Sequence, residues 1–145
     1  MNPIEKVIEE HDNIERELIE LEEVLASDEV NYSNLLHSLK KVTELWNDHE
    51  NKEEKLFTIL AKEEVRIPVF KMGFDHRRLR GHREAILQAI AFGSEALVKE
   101  AMEKDGEYII AALKRHMNDE EGILRMIPIT MFSEEEMNKM EEIVG

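Results

Sequence analysis

His49-Glu50-Asn51-Lys52-Glu53-Glu54 is repeated, 67 residues on, as His116-Met117-Asn118-Asp119-Glu120-Glu121. Both stretches read H-x-N-x-E-E and both continue apolar, into Leu56-Phe57 and Ile123-Leu124. Four residues make just over one helical turn, so each histidine shares a face with the glutamate four positions later. An imidazole and a carboxylate placed this way can hold a transition metal. Two copies point to two metals or to two halves of one site. A lone copy would mean little. With 33 acidic residues among 145, the six histidines should meet an acidic residue at i+4 about 1.4 times by composition alone, and three do: Glu15, Glu53 and Glu120. The repeat is what raises the pattern above a polar helix surface.

Outward from the motif, the repeat extends to lone histidines. His11, in Glu10-His11-Asp12-Asn13-Ile14, precedes the first copy, and His76, in Asp75-His76-Arg77-Arg78-Leu79, precedes the second. Their offset is 65 residues, close to the 67 between motifs. Each half then reads as a helical hairpin, and two hairpins make an all-α, antiparallel up-down four-helix bundle with a short C-terminal helix. The punctuation agrees. Proline occurs only at 3, 68 and 128, and glycine is scarce. Asn2-Pro3 and Glu5 cap a first helix carrying Ile4, Val7, Ile14, Leu18 and Leu21, which fades near Ser27-Asp28. A second helix runs from about Tyr32 to about Glu64, with Leu35, Leu39, Val42, Leu45, Trp46, Phe57 and Leu60 facing the core. Pro68 marks a break, and a third helix covers roughly Val69 to Phe92 before Gly93-Ser94. The fourth lies between Glu95 and Met126, with Gly106 a kink or a boundary, and Ser133 opens a capping-box helix to Val144. Residues 1–145 read as a single domain, and this register allows the four histidines to share a level.

Composition removes several functional classes. Cysteine is absent, which excludes disulfides, zinc–thiolate sites, iron–sulfur clusters and cysteine nucleophiles. A net charge of −14 disfavours nucleic acid and anionic membrane surfaces as partners. No apolar run approaches the ~20 residues of a membrane span. The N-terminus lacks a basic segment followed by an apolar one, which predicts a cytoplasmic protein without a signal peptide.

At these motifs the chain resembles the hemerythrin-like (HHE cation-binding) domains, over nearly its whole length through Phe132-Ser133-Glu134-Glu135-Glu136. The resemblance implies two non-haem irons in the bundle core, bridged by two carboxylates and an oxo or hydroxo group. It makes His11, His49, His76 and His116 terminal ligands, with Glu53 and Glu120 as the bridging carboxylates. Glu50 matches an acidic position that coordinates iron in one iron-sensing branch. Imidazole and carboxylate also suit manganese or zinc. Each ligand histidine should spend its other ring nitrogen on a carboxylate, carbonyl or water, and Asp12, Asp75 and Glu15 stand close in sequence.

One departure bears on function. Oxygen carriers of the family place histidine four residues after the third-helix histidine, where this chain has Arg80. His82 falls about 240° around from His76 and reads as a surface residue, as does His37. The expected function is a di-iron protein that binds or senses a small ligand (oxygen or nitric oxide) or iron itself. The alternatives are a di-iron redox enzyme acting on oxygen, peroxide or nitric oxide, and a metal-free structural or interaction bundle.

Overall fold

The structure is a computed structural model describing residues 1–61 and 69–145, with the backbone alone described over 69–76. It is all-helical: the described residues contain no strand. Helix α1 spans Pro3–Leu25 and α2 Tyr32–Leu60. Helix α3 spans Val69–Phe92 and α4 Glu95–Ala101. A π-helical segment, Met102–Gly106, leads into α5, Glu107–Leu124. A 3₁₀ turn, Ile129–Met131, precedes α6, Glu134–Val144. The expected end of the second helix near Glu64 and the break at Pro68 lie outside the described residues.

The ends follow from local chemistry. Asn2 accepts from the Glu5 backbone N–H while the Glu5 side chain accepts from that of Asn2, a reciprocal cap with Pro3 in the first turn. Ser133 and Glu136 repeat the device at α6. Gly93, at φ 83°, ends α3 in a conformation that side chains disfavour. Gly106 matters for a different reason. A Cβ there would lie 2.8 Å from Leu25 Cδ1, the far end of a flexible side chain, so a larger residue would require Leu25 to move aside. Of the two readings offered for Gly106, the boundary holds: it ends the π segment, and α5 starts at Glu107.

Helix α1 packs on α2 and α5, and α3 on α5 and α2, neighbours consistent with a four-helix bundle. Helix α6 lies across α1 and α2. The core forms two apolar clusters. One holds Ile14, Leu18, Leu21, Leu35, Trp46 and Leu113; the other holds Val7, Leu56, Leu60, Leu124, Met140 and Val144. Each of α1, α2 and α5 passes from one cluster to the other through polar residues: His11, then His49 to Glu53, then Glu120. At roughly 1.5–3 kcal/mol for each fully buried Leu or Ile, the clusters supply the free energy that offsets a layer of buried charge between them.

Candidate metal centre

That layer is densely built. His11, His49, Glu53 and Glu120 each offer one ligand atom, and these four atoms lie within 4.8 Å of one another. All four residues are buried, none more than 2% exposed. Helix α1 supplies His11, α2 supplies His49 and Glu53 one turn apart, and α5 supplies Glu120. His11 Nε2 is 3.0 Å from His49 Nε2 and 3.0 Å from Glu120 Oε1. His49 Nε2 is 3.3 Å from the same oxygen and also meets Glu53 Oε1. The other oxygen of Glu120 lies 3.2 Å from Nε2 of His116, itself buried. Glu120 thus faces the first-half histidines with one oxygen and the second-half histidine with the other.

The outer ring nitrogens decide which atoms face inward. His11 Nδ1 donates to Glu121 Oε1 at 2.9 Å, and His49 Nδ1 donates to Glu10 Oε2 at 3.0 Å. Glu10 is held in turn by Lys52 Nζ at 2.9 Å. With Nδ1–H committed to carboxylates, the imidazoles when neutral direct their Nε2 lone pairs at each other and at two carboxylates. Four electron-pair donors converging in a dry interior need positive charge between them, as protons or as a cation. Ligands of one ion bound at about 2.1 Å lie roughly 3.0 Å apart when adjacent in an octahedron, so the residues present fit a cation.

The proton affinities carry the same strain. Burial pushes the His49 imidazolium pKa down, but hydrogen bonds to Glu10, Glu120 and Glu53 reverse this and raise it to about 11. Burial, with the charge of Glu120 beside it, holds Glu53 well above the usual carboxylate range. Glu120 goes the other way: burial opposes its charge, but hydrogen bonds from His11, His116 and His49 bring it well below that range. Burial of Glu10 is likewise outweighed by His49 and Lys52, which lower its pKa.

Several expected positions behave differently. Glu50 is buried, but it stands outside the four-residue group and its Oε1 meets the Arg80 guanidinium. The His76 side chain lies outside the described residues, as does that of Asp75. Asp12 and Glu15 are exposed and hold neither His11 nor His49; Glu121 and Glu10 do that from other helices. Glu121 is the last residue of the second motif, and its doubled glutamate was the available signal. Consecutive helical residues diverge by about 100°, so the pair can serve the site and its surroundings at once. His37 is exposed as expected, but His82 is half-buried, with Nδ1 2.8 Å from Asp105 Oδ1. The π segment carries Asp105, and nothing in the spacing announced it.

A buried nitrogen–carboxylate cluster spanning three helices defines a metal-binding helical protein. The sequence profile of the Hemerythrin HHE cation binding domain matches residues 2–127, and the chain belongs to that family. No curated protein and no solved structure matches it. Among the described residues no helix is long and apolar enough to cross a membrane.

Proposed function

We propose that residues 1–145 form one domain, an antiparallel up-down four-helix bundle that holds two non-haem irons at the polar layer. The layer's position between two apolar clusters supports the antiparallel order, since α1 crosses it in the opposite sense to α2 and α5. His11, His49 and Glu53 serve one ion, His76 and His116 serve the other, and Glu120 is shared. The observation that carries this reading is the division of Glu120, with Oε1 toward His11 and His49 and Oε2 toward His116. Two dications roughly 3.5–4 Å apart need such an anion between them. Glu50, engaged with Arg80, is a charge partner of that arginine and not a ligand in this reading.

Iron bound here supplies reversible redox chemistry and an attachment point for a small ligand. The protein's own part is to orient the imidazoles through Glu10 and Glu121, exclude water with Ile14, Leu18 and Trp46, and take up or release the protons that His49 and Glu53 hold without metal. The function we infer is binding or sensing of oxygen, nitric oxide or iron. Metal analysis of the purified chain tests the centre: about two irons per chain are expected, and absence of metal under iron-replete expression would refute it. Anaerobic reduction followed by oxygen separates a binder, which gives one stable spectral change, from a redox enzyme, which consumes oxygen repeatedly with an electron donor.

A further inference from the structure

A cavity of about 30 Å³ lies between α2, α3 and α5, walled by Leu39, Val42, Trp46, Leu79, Ile109 and Leu113. All six are buried, and they make the lining largely apolar. Arg80 also reaches the wall, but its guanidinium is held by Glu50. The cavity adjoins a larger cleft, of about 400 Å³, between α2 and α3. The two share Leu39, Thr43 and Arg83, and the outer part adds Leu36 and Leu87. Arg83 Nη2 lies 3.6 Å from Glu84, which lines the cleft and not the cavity. A funnel thus narrows from an open cleft to an apolar end.

Size and polarity select the occupant. About 10–15 Å³ is enough for one water-sized molecule, so the cavity admits a diatomic and excludes larger organic ligands. Water is a poor guest, because it needs about two to four polar partners and the wall is mostly carbon. A cation would lose its hydration shell there without compensation. Apolar cavities of this kind stay dry and take up small apolar guests. Position gives such a guest a destination. Trp46 lines the cavity, and its ring packs on His49 and His116, with centroids 5.7 Å and 5.5 Å apart. One aromatic side chain therefore touches both the cavity and the polar layer.

We propose that this cavity takes up an apolar diatomic gas, dioxygen or nitric oxide, and delivers it along Trp46 to the metal layer. The delivery rests on the proposed metal centre; the uptake does not. Leu39 and Thr43 form the neck between cleft and cavity. The assignment narrows the ligand, since iron itself cannot use this route. The two gases are alike in size and polarity, so the cavity accepts both and the metal chooses between them.

Uptake is tested on the chelated full chain with xenon as the probe, followed by methyl chemical shifts. Xenon should shift the methyls of Leu39, Val42, Leu79 and Ile109 saturably, and leave those of Val7 and Val144 in the other apolar cluster unmoved. Dissolved dioxygen, being paramagnetic, should broaden the same four. Thr43→Phe, which puts bulk into the neck, should weaken xenon by roughly tenfold, Thr43→Leu by less, and Lys139→Gln not at all. Thr43 is only half-buried, and circular dichroism verifies the fold of both variants. Should the phenylalanine variant unfold, the leucine variant carries the test. Delivery is tested on reduced, iron-loaded protein by stopped flow, with dioxygen and nitric oxide added separately. Either Thr43 variant should slow association by at least roughly threefold at unchanged metal content. If one gas alone slows, that gas is the one delivered. Uptake is overturned if xenon does not saturate, if it shifts both clusters alike, or if neither variant weakens it. Delivery is overturned if neither gas slows. A chain that binds xenon but no iron would sink the di-iron reading and delivery with it, and leave uptake standing.

Discussion

The two halves of the chain carry the same motif but surround it differently. In the first half, His49 and Glu53 are sealed between apolar clusters, and His11 joins them with its outer nitrogen on Glu121. In the second half, His116 is also buried, but it borders an open pocket lined by two arginines. Glu120 belongs to the second copy in sequence and meets His11 and His49 of the first half in space. A two-fold repeat therefore does not make two equal sites. Among the described residues, Glu120 joins a closed first half to a second half whose His116 borders a pocket.

Removing the joint should have the largest effect. Glu120→Ala should take metal content from about two ions per chain to near zero, read by elemental analysis. Breaking the halves one at a time comes next. His49 touches Glu10, Glu53, Glu120 and His11, so His49→Ala should empty the closed half and weaken the other. His116→Ala should spare the closed half and retain about one ion per chain. Equal losses from the two variants would erase the proposed asymmetry.

The carboxylates that orient the histidines predict smaller changes. Glu10→Gln and Glu121→Gln should keep the fold but weaken metal binding by roughly 10–100-fold in a competitive chelator titration. Because Glu121 belongs to the second motif and steadies a first-half histidine, its effect also measures how tightly the halves are coupled.

Without metal, pH reports on the closed half. His49 has a folded pKa of about 11, above the ordinary 6.5. Its stabilising contribution is complete below the unfolded value and is lost as the pH rises through the folded one. Glu53, also raised, acts with the same sign above the ordinary carboxylate range. Chelated protein should melt lower at about pH 9 than at about pH 6, by an amount on the order of a few kcal/mol. Bound metal replaces those protons and should flatten or reverse the slope. The smallest effect belongs to Arg80→Ala. It removes a half-exposed partner from buried Glu50 and should cost about 1–2 kcal/mol in a denaturant melt. Metal content should stay unchanged.

The repeat made much of this legible. Helix caps at Asn2 and Ser133 and the apolar period of α1 and α2 are local properties, and local chemistry settles them. The i+4 geometry of His49 and Glu53 is also local. The partners of the outer ring nitrogens are not, because Glu10 and Glu121 reach their histidines across helix interfaces whose rotation no spacing rule supplies. The same holds for Arg80, which reads as a missing ligand along α3 and stands in space as the partner of Glu50. His82 reads as a surface residue from its angle to His76 along α3, and that angle says nothing of Asp105, which the π turn of another segment brings to it.

Trp46, the single tryptophan, lies 5.7 Å from His49 and 5.5 Å from His116 between ring centroids, and so reports on both halves at once. Anaerobic titration of the chelated protein with ferrous iron, followed by Trp46 fluorescence, is the most direct test of a shared centre. The account predicts quenching that ends at about two irons per chain, and a Glu120→Ala protein that shows almost none. Quenching that ends at one iron, or that survives unchanged in Glu120→Ala, would contradict it.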